Sequence, residues 1–272
     1  MGFFATSGIL NERGFFGEGF DPDALDYINR VETADGERLE PRVRTAINQF
    51  VLGCKADGVW TSLVTSCIMA GARTVAGAIT PLVGNAPTNN NFVAGDYSRT
   101  LGLKGNDSNK FINTGYNNND TTNFPQNNSH MSCFVSESQT DVNGTLVGTT
   151  TGLGVRFRIG YSSATNISAV NRSTLTSTLN FAPLGFQCHS RNSSTGWSRR
   201  FYYSGGFQDS NLSSNSGSPN NELLGVFATG AGGAATTTSA RMSFYSIGKS
   251  LSIPNLDTRV TTLINAIASA LA

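Results

Sequence analysis

The segment LGVRFRIGY, residues 153–161, alternates apolar and non-apolar side chains without a break. Leu153, Val155, Phe157, Ile159 and Tyr161 fall on one side of an extended chain, and Gly154, Arg156, Arg158 and Gly160 on the other, because successive strand residues point to opposite faces. A period of two predicts a half-buried antiparallel strand with an apolar core face and a basic, wet face. The same pattern recurs on both sides of it. Met131, Cys133 and Val135 alternate with His130 and Ser132, and Leu184, Phe186 and Cys188 alternate with Gln187 and His189. On this pattern Cys133 and Cys188 read as small core residues and both histidines as exposed. Trp197, Arg199, Phe201 and Tyr203 form a further alternating set, and Leu223 to Ala228 and Arg241 to Ile247 read as late strands. Clusters of Asn, Gly and Ser separate these segments from Pro87 to Ser250. About ten to twelve strands with no helix between them predict a mainly β fold, a two-sheet antiparallel jelly-roll sandwich.

Helical periodicity flanks this region. Asp21 before Pro22 is an N-cap with proline in the first turn, and Leu25, Ile28 and Val31 recur on one face, predicting a helix from Pro22 to Ala34. A second begins near Pro41, with Val43, Ile47, Phe50, Val51 and Cys54 as its stripe and Asp57-Gly58 as its end. A third is expected from Val59 to about Ala70. At the other terminus, Asn255 reads as the cap of a helix whose seam is Leu256, Val260, Leu263, Ile267 and Leu271, with Ile264 beside it. That seam fits either the N-terminal helices or a small bundle between subunits. Ahead of everything lies a Gly-rich arm carrying Phe3, Phe4, Phe15, Phe16 and Phe20, too aromatic for a solvated tail, and expected to dock on a neighbouring subunit or on its own domain. The expected organisation is an arm over 1–20, a helical attachment region over 21–85, the sandwich over 86–252 and a C-terminal helix over 253–272.

Composition excludes several function classes. In 272 residues, 38% are hydrophobic and 14% charged, and the formal net charge is +1. Such a chain has no basic field for nucleic acid. Of the charged residues, 16 lie in the first 60 positions, which sets the helical part apart from a polar, Ser-, Thr- and Asn-rich remainder. No basic and apolar leader opens the sequence, so synthesis in a cytosol is expected. Leu63 to Val83 is broken by Arg73 and Pro81 and is no membrane span. Cys54, Cys67, Cys133 and Cys188 show no metal-ligand spacing, and no metal or cofactor is expected.

Nucleophile, Walker and zinc-protease motifs are absent from the sequence, and Gly230, Gly232 and Ala235, spaced as in a dinucleotide loop, precede no helix pattern. Glycoside hydrolysis needs two carboxylates facing one sugar. The β region offers Asp96, Asp107, Asp120, Glu137, Asp141, Asp209 and Glu222, and its closest pair, Glu137 and Asp141, straddles a strand end, so the chain is expected not to be an enzyme. Sugar binding needs an exposed aromatic and hydrogen-bonding amides. Trp197, Tyr202, Tyr203 and the run Asn117, Asn118 and Asn119 are the candidates.

The block GDYSRTLGLKGNDSNKFINTGYNNND from Gly95, HMSCFVSE from His130 and RMSFYSIGKSL from Arg241 resemble sequences of tailed-bacteriophage structural proteins that carry a concanavalin-A-like or laminin-G-like sandwich. LEPRVRTAINQFVLGCKADGVWTSL, from Leu39, is similar to the helical lead-in of such domains. The resemblance implies a virion protein, a head decoration or fibre or a tail component, made in the host cytoplasm and exposed on the particle. Its partners would be other virion proteins and copies of itself, with a trimer as the first expectation. A host-surface glycan-binding adhesin is the alternative, and a polysaccharide depolymerase a more distant one.

Overall fold

The computed structural model describes residues 19–139, 144–149, 156–163, 166–174, 176–180, 183–203, 206–230 and 237–272. Chain order runs α1 (Pro22–Asp35), α2 (Pro41–Ala56), β1 (Leu63–Ile68), the short α3 (Val75–Ala78), β2 (Pro81–Val83), β3 (Thr88–Asn90), β4 (Tyr97–Ser98), β5 (Gly102–Lys104), β6 (Phe111–Asn117) and β7 (Ser129–Glu137). It continues with β8 (Gly144–Gly148), β9 (Arg156–Ser163), β10 (Asn166–Ser173), β11 (Ser177–Leu179), β12 (Gly185–Arg191), β13 (Gly196–Tyr203), β14 (Gly206–Ser213), β15 (Leu223–Val226), β16 (Arg241–Gly248) and α4 (Ile253–Leu271).

The strands form two antiparallel sheets. The first runs β14-β13-β12-β7-β16-β1-β2, with β5 on the end of β16 and β4 beside β5, and the second runs β11-β10-β9-β8-β15-β6-β3. Met131, Cys133, Val135, Phe201, Tyr245 and Ile247 meet Leu146, Ile159, Ile167 and Val226 of the other sheet in the sandwich core. Helices α1, α2 and α4 form a third layer on the outer face of the first sheet. There Ile28, Val51, Leu256 and Val260 pack with Phe186, Cys188 and Phe244, and Phe50 of α2 meets Phe244 edge-on at 5.9 Å.

From β12 through β7 and β16 to β1 the first sheet is therefore dry on both sides, and this corrects several expectations. Cys133 and Cys188 are both buried, but on opposite faces of the sheet. His130 and His189 are fully buried, not exposed, as is Gln187. His130 lies under the helices, with Nδ1 donating to the Lys249 carbonyl (2.6 Å) and Nε2 accepting from the Ser246 hydroxyl (2.9 Å). His189 lies in the sandwich, where Asn171 Nδ2 donates to its Nδ1 (3.0 Å) and the Trp197 ring stands edge-on at 5.8 Å. Leu184, expected inward, is exposed at the strand end. In the strand that opened the reading, Ile159 is core as expected, whereas Arg158, placed on a wet face, is buried. Leu153, Gly154 and Val155 lie outside the described residues, as do the side chains of Phe157 and Tyr161.

Leu63–Ile68, expected to be part of a third helix, is a strand between β16 and β2. A strand buried on both faces loses its polar alternation, so LVTSCI reads equally as a short helical stripe; only its sheet neighbours resolve the ambiguity. This strand ties the N-terminal region into the sandwich itself.

The flanking helices obey their local signals. Asp21 accepts a hydrogen bond from the Asp23 backbone N–H at 2.9 Å, and Gly36 closes α1 in the left-handed conformation. Ser252, not Asn255, is the N-cap residue of α4. The α4 seam is spent within the chain: Leu256, Val260, Leu263 and Ile267 are buried and Leu271 partly buried against α2 and the sheet, which selects the intramolecular alternative. Leu263→Ala is accordingly expected to cost about 3 kcal/mol in a denaturant titration while leaving the solution mass unchanged; a change of mass without loss of stability would return the seam to an intersubunit role. Of the arm, Phe20 is half-buried with the Arg44 guanidinium 5.6 Å above its ring, and Phe3, Phe4, Phe15 and Phe16 lie outside the described residues.

Candidate functional site

The helical layer covers β12 and leaves β14 open, so the outer face of the β13–β14 hairpin is the exposed continuation of a buried sheet. The pairing sets Ser198 opposite Asn211, Arg200 opposite Asp209 and Tyr202 opposite Phe207. Residues two apart share a face, so these six side chains make one strip. Ser198, Arg200, Asp209 and Asn211 of this strip face Ser190, Asn192, Leu251 and the start of α4 at Ile253 and Pro254 across a cleft of about 420 Å³, and Tyr202 and Phe207 continue the strip outside the cleft lining.

Arg200 organises the strip. Its Nε and Nη2 donate to the two oxygens of Asp209 at 2.8 and 2.6 Å, and Nη1 donates to Asp257 of α4 at 3.1 Å. The guanidinium also lies 4.5 Å from the centre of the Phe207 ring. The hydrogen bonds it donates to Asp209 and Asp257 hold the guanidinium pKa above its ordinary value despite burial. Asp257 is buried, and burial raises its pKa against the pull of Arg200. Ser198 donates to Asn211 Oδ1 at 2.7 Å. Phe207, 43% exposed, meets Tyr202 edge-on at 5.2 Å. The arrangement combines an accessible aromatic ring, a charged donor–acceptor pair locked in one geometry, and hydroxyl and amide groups, which is the equipment for holding a polyhydroxylated ligand.

The sequence candidates divide around this strip. Tyr202 belongs to it, whereas Trp197 is 3% exposed and points into the sandwich. The Tyr203 side chain lies outside the described residues. Asn117, Asn118 and Asn119 sit at the end of β6 in the second sheet, where they brace a loop. Asn117 donates to Asn221 Oδ1 at 2.8 Å, Asn118 is buried against Asn220, and Asn119 donates its backbone N–H to Asn117. Glu137 is bridged by Lys104 at 3.3 Å and Arg241 at 3.2 Å, and Asp141, Gly232 and Ala235 lie outside the described residues. Arg200, Asp209, Asn211 and Phe207 escaped the reading as a group. The signal in the sequence is the Ser-Gly-Gly at 204–206, a composition that predicts a hairpin; the observed register sets Tyr203 against Gly206 and Arg200 against Asp209. Among the described residues no three His, Cys, Asp or Glu side chains cluster as metal ligands, and no helix is long and apolar enough to cross a membrane.

No protein-family model and no curated protein matches the chain. Solved structures share parts of the architecture. A Trypanosoma rangeli sialidase has TM-score 0.49 and 10% identity over 89% of this chain and 38% of its own. A GH54 α-L-arabinofuranosidase gives 0.43 and 11% over 62% and 41%. An arabinofuranosidase complexed with arabinofuranosyl-α-1,2-xylobiose gives 0.39 and 10% over 60% and 39%. The chain thus spans about two fifths of the length of these structures. They correct one expectation: with glycosidases among its structural neighbours, the chain is not set apart from enzymes by its architecture, and the reading as a non-enzyme is withdrawn. At these values the likeness is one of strand layout and assigns neither a reaction nor a substrate.

Proposed function

We propose that this chain is a structural component of a tailed-bacteriophage virion, mounted through its N-terminal arm and helical layer and displaying the sandwich outward. The observation that carries the reading is the placement of the three blocks that bear the resemblance. Gly102–Lys104 and Ser129–Glu137 both pair with Arg241–Gly248, so three segments far apart in sequence form one contiguous piece of sheet, directly beneath the helical layer. The test is incorporation. Deleting Met1–Glu18, which spares Phe20 and the Asp21 cap, is expected to remove the protein from purified particles while the remainder folds with unchanged circular dichroism. Full incorporation of the truncated chain would overturn the mounting role, and failure of antibodies against the sandwich to label intact particles would overturn the display. Light scattering of the full chain tests the expected trimer.

A second reading, recognition of a host-surface glycan by the same displayed protein, is favoured by the Phe207–Arg200–Asp209 strip. Phe207→Ala in the full chain is expected to weaken binding to the host polysaccharide about tenfold, the value of one stacked ring, with no loss of thermal stability. Equal binding by both proteins would remove the strip from recognition. The same incubations are to be assayed for released reducing ends. Their appearance would assign hydrolysis, with Asp209→Asn testing the exposed carboxylate.

A further inference from the structure

The interior side of β13 carries hydrogen-bond donors without acceptors. Arg199 is 6% exposed, and its guanidinium lies 5.1 Å from the centre of the Phe201 ring; its Nε and Nη1 have no hydrogen-bond acceptor, while Nη2 makes one long bond of 3.3 Å to the Ser210 hydroxyl. Two residues earlier on the same face, Trp197 Nε1 is equally without an acceptor. Orphan donors on a buried guanidinium cost more than on any neutral group, and native proteins satisfy them with protein, water or a bound ion.

The surroundings are cationic as well. Arg191, fully buried, spends its donors on backbone carbonyls, those of Asn171 at 2.8 and 3.0 Å and those of Ser193 and Ser214 at 3.1 Å. Arg172 does likewise with the carbonyls of Asn118 and Phe124, and burial together with the Arg191 charge brings its pKa down to about 9. Asp209, the carboxylate that acts on Arg199 electrostatically, is held by Arg200 on the opposite face. For Arg191, carbonyl dipoles satisfy the geometry but bring no opposite charge.

We infer that Arg199 and Trp197 form a binding site for an oxyanion, entered over the edge strand β14 beside Ser210. The ligand chemistry is a small, charged oxygen acceptor, either a free inorganic oxyanion or the carboxylate of an acidic sugar. Ser210 is half-buried and Gln208 exposed along that edge, which makes it the side from which an anion would enter. The site lies on the other face of the hairpin from the Arg200 cleft and is independent of the virion reading.

Isothermal titration of the full chain with inorganic sulfate and with glucuronate, at constant ionic strength set by chloride, tests the site. Saturable binding of at least one at unit stoichiometry is expected. Arg199→Met is expected to weaken it about tenfold or more, as for a lost charged hydrogen bond, and Trp197→Phe, which keeps a ring and removes the donor, to weaken it less. Tighter binding of glucuronate would assign an acidic sugar, and binding of sulfate alone a structural anion. Should Arg199→Met not fold, Trp197→Phe and Arg199→Lys provide the same comparison. Absence of saturable binding to either probe, or affinities unchanged in the folded variants, would overturn the site and leave water as the partner of these donors. Particle incorporation of Trp197→Phe separates this outcome from failure of the virion reading.

Discussion

Lowering the pH from 7 to 5 is expected to remove about 4 kcal/mol of folding stability, roughly 2 from each buried histidine. Burial takes the pKa of His130 down to about 4, and burial with the nearby His130 ring takes that of His189 down to about 3. In the unfolded chain both rings bind a proton near pH 6.5. Between the two sets of values the unfolded state holds more protons than the native state, so stability falls as the pH drops below 6.5, down to about 4 for His130 and about 3 for His189. Carboxylates act lower on the scale: Glu40, held below the usual range by its hydrogen bonds to Arg99, loses its contribution only when it protonates. Urea titrations at pH 7, 6 and 5 measure the slope. Replacing His130 or His189 singly with Gln is expected to halve it, and a stability independent of pH over this interval would show that the rings are not held neutral by the fold.

The second large effect is expected at Gly102, inside the block that carries the resemblance. Its φ of +90° is one that residues with a side chain rarely adopt, and a Cβ there would stand 2.1 Å from the Met242 carbonyl oxygen and 2.8 Å from the Ser243 Cα. Both neighbours are backbone of β16, the strand at the junction of β5, β7 and β1, and cannot rotate away. Gly102→Ala is expected to cost about 4 kcal/mol or more, which for a domain of ordinary stability means loss of most folded protein. Thermal melts and soluble yield measure it. A melting temperature within a few degrees of the wild type would mean that the β5–β16 junction is far more yielding than its backbone packing implies.

Neither effect can be read from the residues alone. The left-handed φ of Gly102 is a local feature, but the atoms that make a side chain there costly come from β16, far along the chain. The histidines show the same limit. His130 and His189 alternate with apolar residues as a solvated face would, yet His130 is buried by a layer of helices contributed by both ends of the chain and His189, on the other face, by the second sheet. Trp197 shows the same limit. Its spacing of two from Phe201 puts it on the Phe201 face, and only the second sheet shows that face to be core and the ring closed to a sugar. The exposed ring of this hairpin is Phe207, a residue that draws notice only once the pairing sets it beside Tyr202 and Arg200.

Periodicity along the chain sufficed for the sandwich, the three long helices and the α1 cap, because those depend on spacing and on groups within a few residues of one another. The helix-to-strand reassignment of Leu63–Ile68, the dry outer face of the first sheet and the Arg200 cleft depended on elements distant in sequence packing together. A period of two says which residues share a face; whether water or a helix meets that face is set by the rest of the chain.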